Sequence, residues 1–388
     1  MKTVLFAWEL GAGAGHLVNI RRLAQRLQRD DIRLVAAVMS LESIQLLDNV
    51  PEIHRMPAWP KPRTDGPPSS ATMTDNLVGA GMNDASAVYD IVAAWERLFQ
   101  GVKPSLVICD YAPGASLAAR GRIPVMHIGG GYTLPPHDLE RFPALHELSP
   151  VVNRDELTLS VVNDAVRRLG LRSLERLPQL FAGDGRLVYV LPLIDPYLSI
   201  RNPPADGPMI DYDPRGRDGD AQDIFVYIAG DTEVRADLIA ALRPVARHAR
   251  IYAPRLSEQA QRELARDGAR IMTSHVALAE ALPRCRLVVH LGGGGFANES
   301  LLAGVPQLTL VTHVERYLIG VALERAGVGR LFQTTDPAGR LAADAISSML
   351  HDEALHHRAI EVANRLRAER PRMSAGERFD AECRRLLG

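Results

Sequence analysis

Lysine is nearly missing from this chain: of its 45 basic residues, only Lys2, Lys61 and Lys103 are lysine. The remaining arginines fit genomic codon bias better than a basic binding surface, because 46 acidic residues bring the formal net charge to -1. That balance removes the general electrostatic reason to expect nucleic acid as a partner. Cysteine is as scarce. Cys109, Cys285 and Cys383 lie far apart, with no C-x-x-C and no metal-site spacing, and read as reduced, buried thiols of a cytosolic protein. Long apolar runs are missing too: none approaches the roughly 18 to 20 residues of a transmembrane helix. Glu9 breaks the run from Val4 to Trp8 before the apolar core of a signal peptide would be complete. The expectation is therefore a cytoplasmic protein with no stable membrane insertion.

What the chain does contain is strand and helix in alternation over 388 residues, more than one ordinary core. The spacing predicts a strand from Thr3 to Trp8, a helix from His16 to Arg29 and a second strand from Ile32 to Met39, a βαβ unit. Gly11, Gly13 and Gly15 fill its first turn. A dinucleotide fingerprint would need a third glycine at position 16, which is histidine, and an acid after the second strand, where Val38-Met39-Ser40 stands. The oxidoreductase reading drops accordingly. His16 suits chemistry better: the positive end of the helix disfavours its cation, leaving a neutral imidazole that can accept a proton. Asp110 ends the apolar run Ser105 to Cys109 and is either the carboxylate that fixes that imidazole or the cap of the following helix. Pro57 to Met82 and Gly129 to Pro150 read as two long loops, Leu187 to Leu193 as the last strand of the first half, and Arg201 to Asp223, rich in Pro, Gly and Asp, as a domain boundary. Beyond it the apolar run Ile224 to Ile228, ending at Gly230, restarts the alternation, Ala236 to Arg247 reads as a helix, and the chain past Gly329 reads as helical to the end.

In the second half, Leu287-Val288-Val289 meets His290 and the glycines Gly292 to Gly295, followed by Phe296-Ala297-Asn298-Glu299 and Gly304-Val305-Pro306. A strand running through four glycines into a helix presents bare N–H groups at a positive helix end. That is an anion cradle, unless the glycines form only a surface turn. The pattern His-x-Gly-Gly-x-Gly, Glu299 and Ala303-Gly304-Val305-Pro306 resembles the donor-binding signature of the UDP-sugar-dependent family 1 glycosyltransferases, which include plant flavonoid and bacterial macrolide enzymes.

The resemblance implies the GT-B fold: two α/β, Rossmann-like domains whose parallel sheets face each other across a cleft. On this chain they would be an acceptor domain over 1–200, a linker over 201–223 and a nucleotide-sugar domain over 224–372. A last helix over 373–388 would cross back to the first domain. It further implies that His16, in Gly15-His16, takes the proton of an acceptor hydroxyl and that Asp110 supports the imidazolium. The donor contacts it implies fall on Gly15, Thr232, Val276, His290, Gly292, Gly293, Gly294, Gly295, Asn298, Glu299, Glu315 and Arg316. Thr232 is preferred to Asp231, whose charge would repel a diphosphate. Trp59, Met82, Tyr132, Leu134 and Phe142, in the two long loops, would give the acceptor a partly apolar surface.

The chain also departs from type. Leu291 stands where most relatives place a diphosphate-contacting histidine, so His290 either touches the donor or points into the core with phosphate left to the Gly292 to Gly295 amides. Phe296 replaces Ser or Thr, and Arg316 replaces Gln. Ser274-His275-Val276 stands where a base-stacking tryptophan segment is usual. The expected function is an inverting, metal-independent glycosyltransferase of natural-product glycosylation. It would move a sugar from a UDP- or dTDP-sugar to a hydroxyl, or to nitrogen or sulfur, of a small, lipid-like or partly apolar acceptor. The nucleotide sugar is co-substrate, no resident cofactor is implied, and no carboxylate cluster offers a metal its ligands. The rivals are a sugar-nucleotide epimerase or hydrolase of the same fold and a non-catalytic sugar-nucleotide-binding protein. Oligomeric state stays open.

Overall fold

Short apolar runs bounded by turn residues make twelve strands in two sheets among the described residues, and every pairing is parallel. The computed structural model describes residues 1–11, 13–60, 69–210, 212–229, 232–274, 276–334 and 339–388. The chain divides into two compact units. One holds Met1–Tyr189, Pro196–Met209 and Met373–Gly388; the other holds Val190–Asp195 and Ile210–Arg372.

The first unit contains β1 (Lys2–Trp8), β2 (Ile32–Val38), β3 (Glu52–Arg55), β4 (Leu106–Asp110), β5 (Val125–Gly129) and β6 (Gly185–Val188), in the order β3-β2-β1-β4-β5-β6. The second contains β7 (Asp223–Tyr227), β8 (Ala249–Tyr252), β9 (Arg270–Ile271), β10 (Cys285–His290), β11 (Gln307–Val311) and β12 (Gly329–Gln333), in the order β12-β11-β10-β7-β8-β9. The two orders are the same doubly wound topology written twice. Each reverses direction once, between β1 and β4 and between β7 and β10. In open parallel sheets that reversal leaves a crevice at the carboxyl ends of the strands.

Period-two alternation decides what each strand buries. Val4, Phe6 and Trp8 of β1 and Leu106 and Ile108 of β4 pack with Leu17, Ile20 and Leu23 of the helix Gly15–Arg26, and with Phe379 of the helix Ala375–Leu387. In the second unit Val226, Val289 and Leu310 pack with Leu238 and Leu242.

Four expectations need correction. A helix, Met73–Ala80, forms inside the predicted Pro57 to Met82 loop, because Thr72 and Asp75 build a reciprocal capping box at its start. The tail is not helical throughout beyond Gly329: β12 runs to Gln333 as a parallel neighbour of β11. The strand foreseen at Leu187 to Leu193 is β6, ending at Val188, followed by a tight turn over Pro192–Ile194. The helix foreseen over Ala236 to Arg247 stops at Leu242 and tightens into a 3-10 turn carrying Pro244, where the ring removes a helical N–H. Among the described residues, no helix is long and apolar enough to cross a membrane.

Candidate functional site

At the first crevice, β1 and β4 run in register so that Trp8 lies beside Asp110. The chain leaves β1 through Gly11 and Gly13, both at φ +88°, and continues as the helix Gly15–Arg26, whose start has no side-chain cap. His16 stands in the first turn of that helix. Its Nδ1 lies 2.9 Å from Asp110 Oδ2, with the histidine side chain 14% and the aspartate 1% exposed. A carboxylate only accepts, so Nδ1 carries the proton and the neutral ring keeps its lone pair on Nε2. That nitrogen faces the bend: a Cβ on Gly11 would stand 2.5 Å from it. Glycine is required at position 11 both for the left-handed backbone and because a Cβ would collide with Nε2.

The carboxylate is held as firmly. Tyr111, next in the chain, takes φ +47°, a conformation costly for a side chain of its size. Its carbonyl accepts from Leu10 N–H at 3.0 Å, tying the exit of β4 to the exit of β1. One face of the His16 ring is covered as well: the indole of Trp8 lies parallel to it, at 5.1 Å between centroids and 19°. Glu9 points the other way. It is 1% exposed and accepts from the N–H groups of Gly114 (3.0 Å) and Ala115 (2.6 Å) and from Trp59 Nε1 (2.7 Å). Burial pushes its carboxyl up to about 7, outweighing those donors. Neither Trp8 nor Glu9 was singled out from the sequence as part of the site. The signal was available, because counting in twos onward from the helix-facing Val4 puts Trp8 beneath His16.

At the second crevice the glycine run forms as foreseen. Gly292 bends at φ +79°, and Gly293 sits at the N-cap of the helix Gly294–Ala303, which no side chain caps. The first N–H groups of that helix have no intrahelical acceptor, and Gly293 and Gly295 are exposed. His290 does not share the exposure. It is 1% exposed, its Nε2 donates to Gln307 Oε1 at 2.9 Å and its Nδ1 accepts from Gly292 N–H at 3.1 Å. Burial drives its pKa down to about 4, so the ring is neutral, as those two bonds require. Phe296 lies on that ring at 4.7 Å and stacks on Tyr227 at 5.2 Å. The expectation that His290 touches a donor is therefore revised: both nitrogens serve the loop's own geometry.

Asn298 and Glu299 are turned inward too. Asn298 Oδ1 accepts from Leu191 N–H at 2.9 Å, and Glu299 accepts from the hydroxyl of Tyr212. Thr232 is half-buried and lines a cavity of about 190 Å³ at the carboxyl ends of the strands, together with Leu291 and Leu310. Arg316 donates to Thr312 Oγ1 at 3.0 Å, and burial lowers its pKa; Glu315, beside it in the first turn of the helix Val314–Arg325, is half-buried. Gly15 is exposed at the start of its helix, and Val276 is half-buried in a stretch with no helix or strand. Asp231 and His275 lie outside the described residues. Trp59, Met82, Tyr132, Leu134 and Phe142, expected to present an apolar surface to an acceptor, are all buried in the first unit, at 9% exposure or less.

Three comparisons bear on these crevices. Residues 254–374 match the model of the family described as erythromycin biosynthesis protein CIII-like, C-terminal domain. An uncharacterized glycosyltransferase of Mycobacterium leprae is 41% identical over 102 residues, 26% of this chain and 23% of that protein. The elloramycin glycosyltransferase ElmGT of Streptomyces olivaceus is 35% identical over 91 residues, 24% of this chain and 22% of that one. The matched stretches thus span less than a quarter of either relative's own length. Over the whole chain, the crystal structure of the glycotransferase of kitacinnamycin superposes with a TM-score of 0.66 at 16% identity, covering 100% of this chain and 99% of the other. The likeness read from the glycine run is borne out by these matches, and the fold is GT-B.

Proposed function

We propose that this chain, a GT-B protein related to the glycosyltransferases of natural-product biosynthesis, is an inverting glycosyltransferase that uses a nucleoside diphosphate sugar and needs no metal. The observation that carries the reading is the bond from His16 Nδ1 to Asp110 Oδ2, which fixes the tautomer and turns Nε2 toward Gly11.

In this reading His16 Nε2 takes the proton of an acceptor hydroxyl as its oxygen attacks the anomeric carbon. The bond from that carbon to the diphosphate breaks, and the diphosphate leaves with the electron pair. Asp110 keeps the tautomer and lies against the imidazolium that forms. The growing negative charge is met by the N–H groups of Gly293, Gly294 and Gly295 at the positive end of their helix, which stand ready before the charge appears. Thr232, Glu315 and Arg316 are the side chains this reading assigns to the donor, while His290, Asn298 and Glu299 are buried and bonded within the fold. The donor is a UDP- or dTDP-sugar, and the acceptor a small or partly apolar hydroxyl compound.

The experiment incubates the full chain with a panel of UDP- and dTDP-sugars, with and without polyketide, flavonoid, lipid and peptide acceptors, and reads products by mass spectrometry. Glycosylated acceptor formed by the wild type and lost in His16→Ala supports the proposal. Donor consumed equally without acceptor marks an epimerase or hydrolase. Donor bound in calorimetry with no product marks a non-catalytic binding protein.

A further inference from the structure

We propose that Trp8 is a positioning residue of this site, its indole face fixing the His16 imidazole and stabilising it when it carries a second proton. The inference rests on reading His16 as the general base, and it adds a residue that the motif does not contain.

Three observations lead to it. Strand register puts Trp8 directly beside Asp110, and period-two alternation turns both toward the helix that carries His16, so the imidazole is held at one edge by the acid and on one face by the indole. The indole is itself locked: Trp8 is 2% exposed, and its Nε1 donates to Leu10 O at 2.7 Å. The remaining ring nitrogen lies over Gly11. Edge and face together leave His16 one orientation, with Nε2 over Gly11. When the proton of an acceptor hydroxyl moves to Nε2, the resulting cation sits against an aromatic face, an attraction that strengthens where water is excluded.

Other charges near the ring are accounted for. Asp110 bonds it. Glu9, one residue past Trp8, is held on the opposite face by Gly114 and Ala115. Farther along the His16 helix, Arg21 pairs with Asp48 and Arg26 with Asp380.

The test is a proton titration of His16 by NMR in the full chain labelled at histidine, its signal assigned by its loss in His16→Gln. Trp8→Leu keeps an apolar cover but removes the aromatic face. We expect the His16 pKa to fall by about half a unit to one unit in Trp8→Leu and by less in Trp8→Phe. The acid limb of the transfer pH profile should move down by the same amount. An unchanged His16 titration in folded Trp8→Leu overturns the proposal, since a merely structural tryptophan would leave it unmoved. If Trp8→Leu does not fold, Trp8→Phe decides on the same criterion. The titration needs neither donor nor acceptor, so it judges the stack by itself. Failure of the wild type to transfer sugar would instead overturn the reading on which the role in catalysis rests.

Discussion

After β1 the histidine comes last, behind Gly11, Gly13 and Gly15, and enters the first turn of a helix. After β10 the histidine comes first, ahead of Gly292 to Gly295, and stays in the strand. The parts are alike, and so is the setting, the switch point of a doubly wound sheet. Their order changes what the ring can do. His16, set on the helix side of the bend, binds Asp110 with one nitrogen and turns the other toward Gly11. His290, set on the strand side, is 1% exposed, and both its nitrogens are spent on Gln307 and Gly292. One turn sets an acid-bound imidazole over the bend, and the other sets the amides of a helix end in a shape held by a buried ring. A histidine beside glycines is thus not one signal but two, told apart by which side of the glycines it occupies.

The sharpest way to break that contrast is to remove each ring in turn. His16→Ala should lower the transfer rate by about 10²- to 10⁴-fold, the usual worth of a general base, with donor affinity by calorimetry close to wild type. His290→Gln should instead cost about 1–3 kcal/mol of stability through its lost buried bonds. It should also change the pH dependence of stability. The folded pKa of His290, about 4, lies below the ordinary 6.5, so the fold prefers the neutral ring. That contribution is fully present above about pH 6.5 and is lost as pH falls toward 4, where the unfolded chain takes up the proton first. The loss amounts to ~3 kcal/mol. Urea-unfolding free energies from pH 8 to pH 4 should therefore fall more steeply for the wild type than for His290→Gln. Parallel curves would mean that the ring is not held neutral by the fold.

Much of this was legible before any coordinates. Apolar runs ending in glycine located β1, β7 and β10, and an acid closing an apolar run located Asp110, because a strand covered on both faces leaves a plain mark in sequence. The inward turn of His290 was legible only as one of two alternatives, raised by Leu291 standing in the usual histidine place, and its cause was not. It depends on Gln307, seventeen residues away on the next strand, and on Phe296 lying over the ring. Burial of Trp59 was hidden for a similar reason: its partner is Glu9, an acid at the end of an apolar strand, which reads as an interruption until the N–H groups of Gly114 and Ala115 appear around it. The helix Met73–Ala80 escaped notice because composition over a long window outvoted a local cap; Thr72 and Asp75 alone carried it. β12 was missed for want of apolar length, since Gly329-Arg330-Leu331-Phe332-Gln333 pairs through its backbone at the edge of the sheet.

The smallest predicted effects sharpen the second half of the comparison, because the glycines after β10 are not equivalent. A Cβ at Gly292 would fall 3.0 Å from Arg316 Cβ, on a backbone at φ +79°. Gly292→Ala should therefore be strained whatever binds, and its cost should appear in urea unfolding without donor. At Gly293 and Gly295 nothing stands within 4 Å of the added carbon, so alanine there meets only the space in front of the helix end. Gly293→Ala and Gly295→Ala should leave stability within about 1 kcal/mol of wild type, the ordinary backbone effect of glycine to alanine. If a diphosphate comes close to those amides, the same methyl groups lie in its path, and donor affinity by calorimetry should weaken by about tenfold, or ~1.4 kcal/mol. Equal donor binding by wild type and both alanine variants would mean that the phosphates rest elsewhere, and that these glycines serve only the bend.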